Sequence, residues 1–118
     1  MPRRREPVRF PASYLVEEGV WPDGPFAADA PPEVYLAAGI SRRVQHIAGD
    51  RNLAFQTIAE QAGVSIQAVM DIVRGRSWPT LRTVARVECA LDAQLWKNEH
   101  RRRMPPRGER AIRKVLKP

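Results

Sequence analysis

Residues 63–81, GVSIQAVMDIVRGRSWPTL, hold the side chains best suited to chemistry with a partner. On a helix starting at Ser65, the residues Ile66, Gln67, Met70, Asp71 and Arg74 fall on one face, while Val69 and Ile72 fall on the other. The Gln67 amide donates and accepts, the Asp71 carboxylate accepts, and Arg74, Arg76 and Ser77 donate. That set can recognise hydrogen-bonding edges and anions. Its charge is low for a helix that grips a polyanion unaided.

Reactive chemistry finds little support. His46 and His100 have no cysteine or paired carboxylate at ligand spacing, so no metal site is expected. Glu17 and Glu18 form the adjacent acidic pair, with no catalytic partner evident. There is no phosphate loop, nucleophile elbow or helical metalloprotease motif, so neither catalysis nor a cofactor is expected. Cys89, the single cysteine, falls within an apolar helical pattern and reads as a small buried residue.

The 118 residues suffice for one small domain with tails. The formal net charge is +7 and Arg supplies 17 of the 20 basic residues, favouring an anionic partner, nucleic acid first. The distribution is uneven: residues 1–30 sum to −1, residues 31–96 to +1 and residues 97–118 to +7. No apolar run reads as a signal peptide or membrane span, so a cytoplasmic, nucleoid-associated protein with no membrane partner is expected.

The elements that must position residues 63–81 are read as helices. Residues 1–30 form an apolar arm, with a short helix over 10–19 and turn chemistry in WPDGP, 21–25. Tyr14, Leu15, Val16, Val20, Trp21 and Phe26 in that arm are expected to pack on the domain or on a second copy. Asp29, Pro31 and Pro32 signal a helix start. A first helix over 32–49 carries Leu36, Ile40, Val44 and Ile47 inward, with a break at Ser41 allowed by Gly39. A second spans 55–62 with Ile58, Ala59 and Ala62 inward. The third starts at the N-cap Ser65 and stops at Gly75. A fourth over 80–91 buries Leu81, Val84, Val87 and Leu91. A fifth over 93–101 buries Leu95 and Trp96. Residues 101–118 form a basic tail, with Ile112, Val115 and Leu116 on one side of a short marginal helix.

Residues 53–96 resemble the lambda-repressor-like helix-turn-helix domains of the Cro, phage-repressor and XRE type. The resemblance rests on Leu53, Ile58-Ala59, Gly63-Val64-Ser65, Val69, Ile72, Gly75, Pro79, Leu81, Val84 and Leu91, in register without gaps. It implies a compact all-α five-helix domain over 31–100 that lays its third helix in the major groove. It implies that Ala59 lets two helices cross closely, Gly63 takes a positive φ and Val64 plugs the core. Ser65, Ile66, Gln67, Met70 and Asp71 become base-contact candidates, and Gln56, Thr57, Arg74, Arg76 and Ser77 phosphate-contact candidates. The chain departs from the pattern in three places. Ala54 and Phe55 replace a capping hydroxyl and a glutamine, leaving Asn52 as a substitute cap. Ala48 and Val73 replace an arginine–glutamate pair with packing. Asp71 holds a base-reading position, where a carboxylate accepts from cytosine and repels phosphate.

Each candidate also has a plainer reading. Gln67 can read adenine with two hydrogen bonds or be an ordinary solvated amide. Ile66 and Met70 can touch a thymine methyl or mark a protein-binding face. Trp78 reads as packing beneath its loop, and Arg42 and Arg43 as solvated. In the tail, Arg101, Arg102, Arg103, Arg107, Arg110, Arg113 and Lys114 are expected to clamp DNA phosphates, with RNA binding and a merely solubilising end as alternatives. The expectation is a DNA-binding transcriptional regulator acting on double-stranded DNA as a homodimer. The alternative is a protein-interaction adaptor or toxin-neutralising protein that binds its partner through residues 10–30.

Overall fold

A computed structural model describes residues 9–96. A 3-10 turn, Pro11–Tyr14, leads into a two-stranded antiparallel hairpin, β1 (Leu15–Val20) and β2 (Gly24–Phe26). Four helices follow: α1 (Pro32–Arg51), α2 (Phe55–Ala62), α3 (Ile66–Arg74) and α4 (Leu81–Leu91). The five-helix all-α expectation is therefore corrected, among the described residues, to four helices and a small sheet.

The four helices end alike. Asn52, Gly63, Gly75 and Asp92 each take a left-handed conformation just past the last turn. At α3 the Arg76 amide reaches back to the Asp71 carbonyl (3.0 Å) and the Gly75 amide to the Ile72 carbonyl (3.3 Å). Both bonds satisfy terminal carbonyls that the helix cannot pair internally.

The same device stops the expected fifth helix. Past Asp92 the chain folds back along α4, with the Ala93 amide on the Glu88 carbonyl (3.2 Å) and the Leu95 amide on Glu88 Oε2 (2.7 Å). Residues 93–96 are irregular, yet Leu95 is fully buried and Trp96 packs against the core. The remainder of that expected helix, and the tail over 101–118, lie outside the described residues.

The core is aliphatic. Ile40, Val44 and Ile47 of α1 meet Ile58 of α2, Val69 and Ile72 of α3, and Val84, Val87 and Leu91 of α4. Ala59 is buried where α2 packs on α3, and Val64 fills the edge of the same cluster. Ala48 is buried and Val73 packs against the core. Leu81 corrects its expectation: it is 73 % exposed, because the inward face of α4 begins at Val84. Cys89 is exposed, not buried, since it lies two residues beyond Val87 and so on the opposite side of the helix. Helix α1 is continuous through Ser41. Its N-cap is Pro31 rather than Asp29, whose carboxylate lies 3.9 Å from Arg9 instead.

The arm is where sequence and structure part most clearly. The helix expected over 10–19 is a 3-10 turn followed by β1. Gly19 permits this pairing, because a Cβ there would lie 2.8 Å from the Pro25 carbonyl oxygen. Phe26 stacks edge-on against Trp21 (5.9 Å) and Tyr35 of α1 (5.3 Å). Arg42, expected to be solvated, donates to the Pro22 carbonyl (3.2 Å) and lies 3.6 Å from Asp23. Arg43 is half-buried, with its Nε buried and without a hydrogen-bond partner among the described residues.

Candidate functional site

Helices α2 and α3 are joined by a tight turn at Gly63, Val64 and Ser65. Gly63 has φ 68°, and its carbonyl accepts from Arg86 of α4 (3.3 Å). Ser65 caps α3: its Oγ accepts from the Ala68 amide at 3.0 Å, an interaction worth about 1 kcal/mol. This hydroxyl is thus committed to the cap while its residue remains exposed. By contrast, α2 starts at Ala54 with no side-chain cap; Asn52 does not substitute, because it closes α1.

Helix α3 divides cleanly. Val69 and Ile72 are anchored in the core, Ile66 and Gln67 are exposed, and Met70 and Asp71 are half-buried. Gln67 Nε2 donates to Asp71 Oδ1 at 2.8 Å. Two residues considered separately in the sequence are thereby one hydrogen-bonded unit. Arg74, Arg76 and Ser77 follow at the end of α3, all exposed. On α2, Gln56 is bonded to Glu60 of its own helix (3.2 Å) and Thr57 is half-buried, which makes this pair the weaker phosphate candidates.

The far end of α3 is held by groups that the sequence did not single out for this task. Ser41, fully buried, donates through Oγ to the Val73 carbonyl (3.0 Å) and accepts from Trp21 Nε1 (3.0 Å). Gln45 Nε2 reaches both Ser41 Oγ (3.1 Å) and the Val73 carbonyl (3.3 Å). The Ala12 amide donates to the Gly75 carbonyl (2.8 Å), and the Trp21 indole lies against Gly75. Trp78 packs against Tyr14 and donates to the Arg9 carbonyl (2.9 Å). The expected partner surface of residues 10–30 is therefore largely spent inside the chain. What stays exposed there includes Val20, at 64 %, and Phe10. The exposed face with Ile66, Gln67 and Arg74 is thus carried on a helix fixed at both ends, by Ser65 at one and by the hairpin at the other.

A shallow open groove of about 380 Å³ runs between α2 and α4, lined by Gln61, Ala62, Ala85, Arg86, Cys89 and Ala90. Among the described residues, no group of three or more His, Cys, Asp or Glu side chains converges to hold a metal. Among them, too, no helix is long and apolar enough to cross a membrane. Arg101, Arg102, Arg103, Arg107, Arg110, Arg113 and Lys114 lie outside the described residues. No family model, no curated protein and no solved structure matches the chain.

Proposed function

We propose that this protein is a sequence-specific DNA-binding transcriptional regulator, with α2 and α3 forming a helix-turn-helix of the phage-repressor type. The observation that carries the reading is α3 itself. It is capped by Ser65 and anchored by Val69 and Ile72, and it presents Ile66 and Gln67 to solvent. Such a helix fits the major groove, where base edges offer the donors and acceptors that an amide and a carboxylate can match. Arg74, Arg76 and Ser77 then fix the register on phosphates. The excess charge over residues 97–118 supplies most of the salt-sensitive affinity. The protein acts as a homodimer on paired half-sites about one DNA turn apart, at the nucleoid in the cytoplasm.

The adaptor reading is weaker, because it relies on the arm. The aromatic rings that would carry it are packed on Tyr35, Gly75 and Trp78.

Selection of random duplex DNA by the purified protein tests the proposal. Enrichment of an inverted repeat is expected. Recovery of no motif, with all residual binding abolished by removing residues 101–118, would overturn it.

A further inference from the structure

The bond between Gln67 and Asp71 constrains what α3 can recognise. An i,i+4 pair of this kind supports the helix by a small amount, but its polarity has a larger consequence. The Asp71 carboxylate only accepts, so the Gln67 atom facing Oδ1 at 2.8 Å is the amide nitrogen. That fixes which way the amide is turned. Gln67 Oε1 is left as an acceptor, the second Nε2 hydrogen as a donor, and Asp71 Oδ2 as a further acceptor. The unit therefore offers more acceptors than donors, and it carries a negative charge.

We propose that Gln67 and Asp71 act as one reading unit that selects bases presenting an exocyclic amine in the major groove, adenine or cytosine. The inference rests on the DNA-reading role proposed for α3. Adenine offers its N6 amine to Gln67 Oε1 and its N7 to the remaining Nε2 hydrogen. Cytosine offers its N4 amine to Oε1 or to Asp71 Oδ2. Guanine presents two acceptors, N7 and O6, which meet the acceptor-rich unit with repulsion. Thymine presents O4 and a methyl group, and so supplies no donor. Asp71 is a positioning residue in this scheme for adenine, and a direct acceptor for cytosine. The carboxylate also disfavours close approach of phosphate, so the unit contributes discrimination more than affinity.

The test uses the full chain, the best duplex from selection, and three proteins: the native chain, Gln67→Ala and Asp71→Asn. Base pairs whose replacement no longer matters to Gln67→Ala mark the positions that Gln67 faces. At those positions adenine is replaced by purine, which lacks the 6-amine, or cytosine by pyrimidin-2-one, which lacks the 4-amine. Guanine is replaced by 7-deazaguanine in parallel. Loss of the amine is expected to weaken native binding about tenfold, within the range of one specified base contact. Asp71→Asn, whose new amide lets Gln67 turn either way, should reduce that penalty to about twofold or less. Removal of the guanine N7 should leave native binding unchanged. Two results overturn the unit while leaving α3 as the reader: dependence on guanine N7 with indifference to the amine, or an amine penalty that survives Asp71→Asn. If no duplex is selected at all, the reading role of α3 fails first. A helix-supporting role alone would shift the melting temperature without altering any base-analogue penalty.

Discussion

Gly75→Ala will be among the most damaging single substitutions in this protein, lowering stability by about 2–4 kcal/mol. Two causes act at one position. Gly75 has φ 66°, a conformation that L side chains resist. An added Cβ would also lie 2.5 Å from Cδ2 and 2.8 Å from Cζ2 of the Trp21 indole. Either the hairpin shifts away from α3 or the cap of α3 opens. Both weaken the contacts of Ala12 and Ser41 with the end of that helix. For a domain of this size the melting temperature should fall by roughly 10–25 °C. A double-mutant cycle with Trp21→Ala separates the causes. The indole clash should vanish in the Trp21→Ala background and the backbone strain should persist, so the combined loss is smaller than the sum. Strict additivity would show that the hairpin does not bear on α3 as described.

Removing residues 101–118 will change salt dependence more than any substitution in α3. That segment carries eight basic residues and one acidic residue, so the truncated chain has a formal net charge of zero. If the full chain neutralises about six phosphates, the slope of log affinity against log salt is near −5, and about two contacts, from Arg74 and Arg76, leave a slope near −2. Between 50 and 200 mM salt the full chain should lose about a thousandfold in affinity, and the truncated chain about fifteenfold. Titrations of both chains on one selected duplex measure the difference. Equal slopes would show that the tail does not touch the backbone.

The helices were legible because their signals are local. Ser65, Gly63 and Gly75 punctuate the chain where the structure caps and closes α3 and α2. The spacing of Ile40, Val44 and Ile47, and of Val84, Val87 and Leu91, is the helical period of a buried stripe. That period also placed Cys89 off the stripe of α4, a signal outweighed by the residue's usual preference for burial. The hairpin was harder. Pro11 and the two glutamates suggested a helix, yet Val16 and Val20 are β-branched and WPDG between apolar runs is a hairpin pattern. What decides the strand is tertiary: Phe26 on Tyr35, and Trp21 on Gly75. The fifth helix failed for a similar reason. Leu95 supplied the apolar spacing, but the Glu88 carboxylate holds its amide in an irregular return.

At the candidate site, sequence supplied the members and not their couplings. Gln67 and Asp71 were each visible at i and i+4, and so were Gln56 and Glu60. Their bonds follow from that spacing. The support beneath α3 had no comparable signal. In the sequence Ser41 marked only a break allowed by Gly39, and its role depends on Trp21 and Val73, 20 and 32 residues away.

The reading role of α3 is tested most directly by comparing native protein with Gln67→Ala on two duplexes, the selected sequence and a scrambled one of equal composition. Gln67 is exposed and makes no core contact, so the variant should melt within about 0.5 kcal/mol of the native chain. A loss of about tenfold or more is expected on the selected duplex, and no change on the scrambled one. Equal affinities for the two proteins on the selected duplex would contradict the claim that α3 reads sequence.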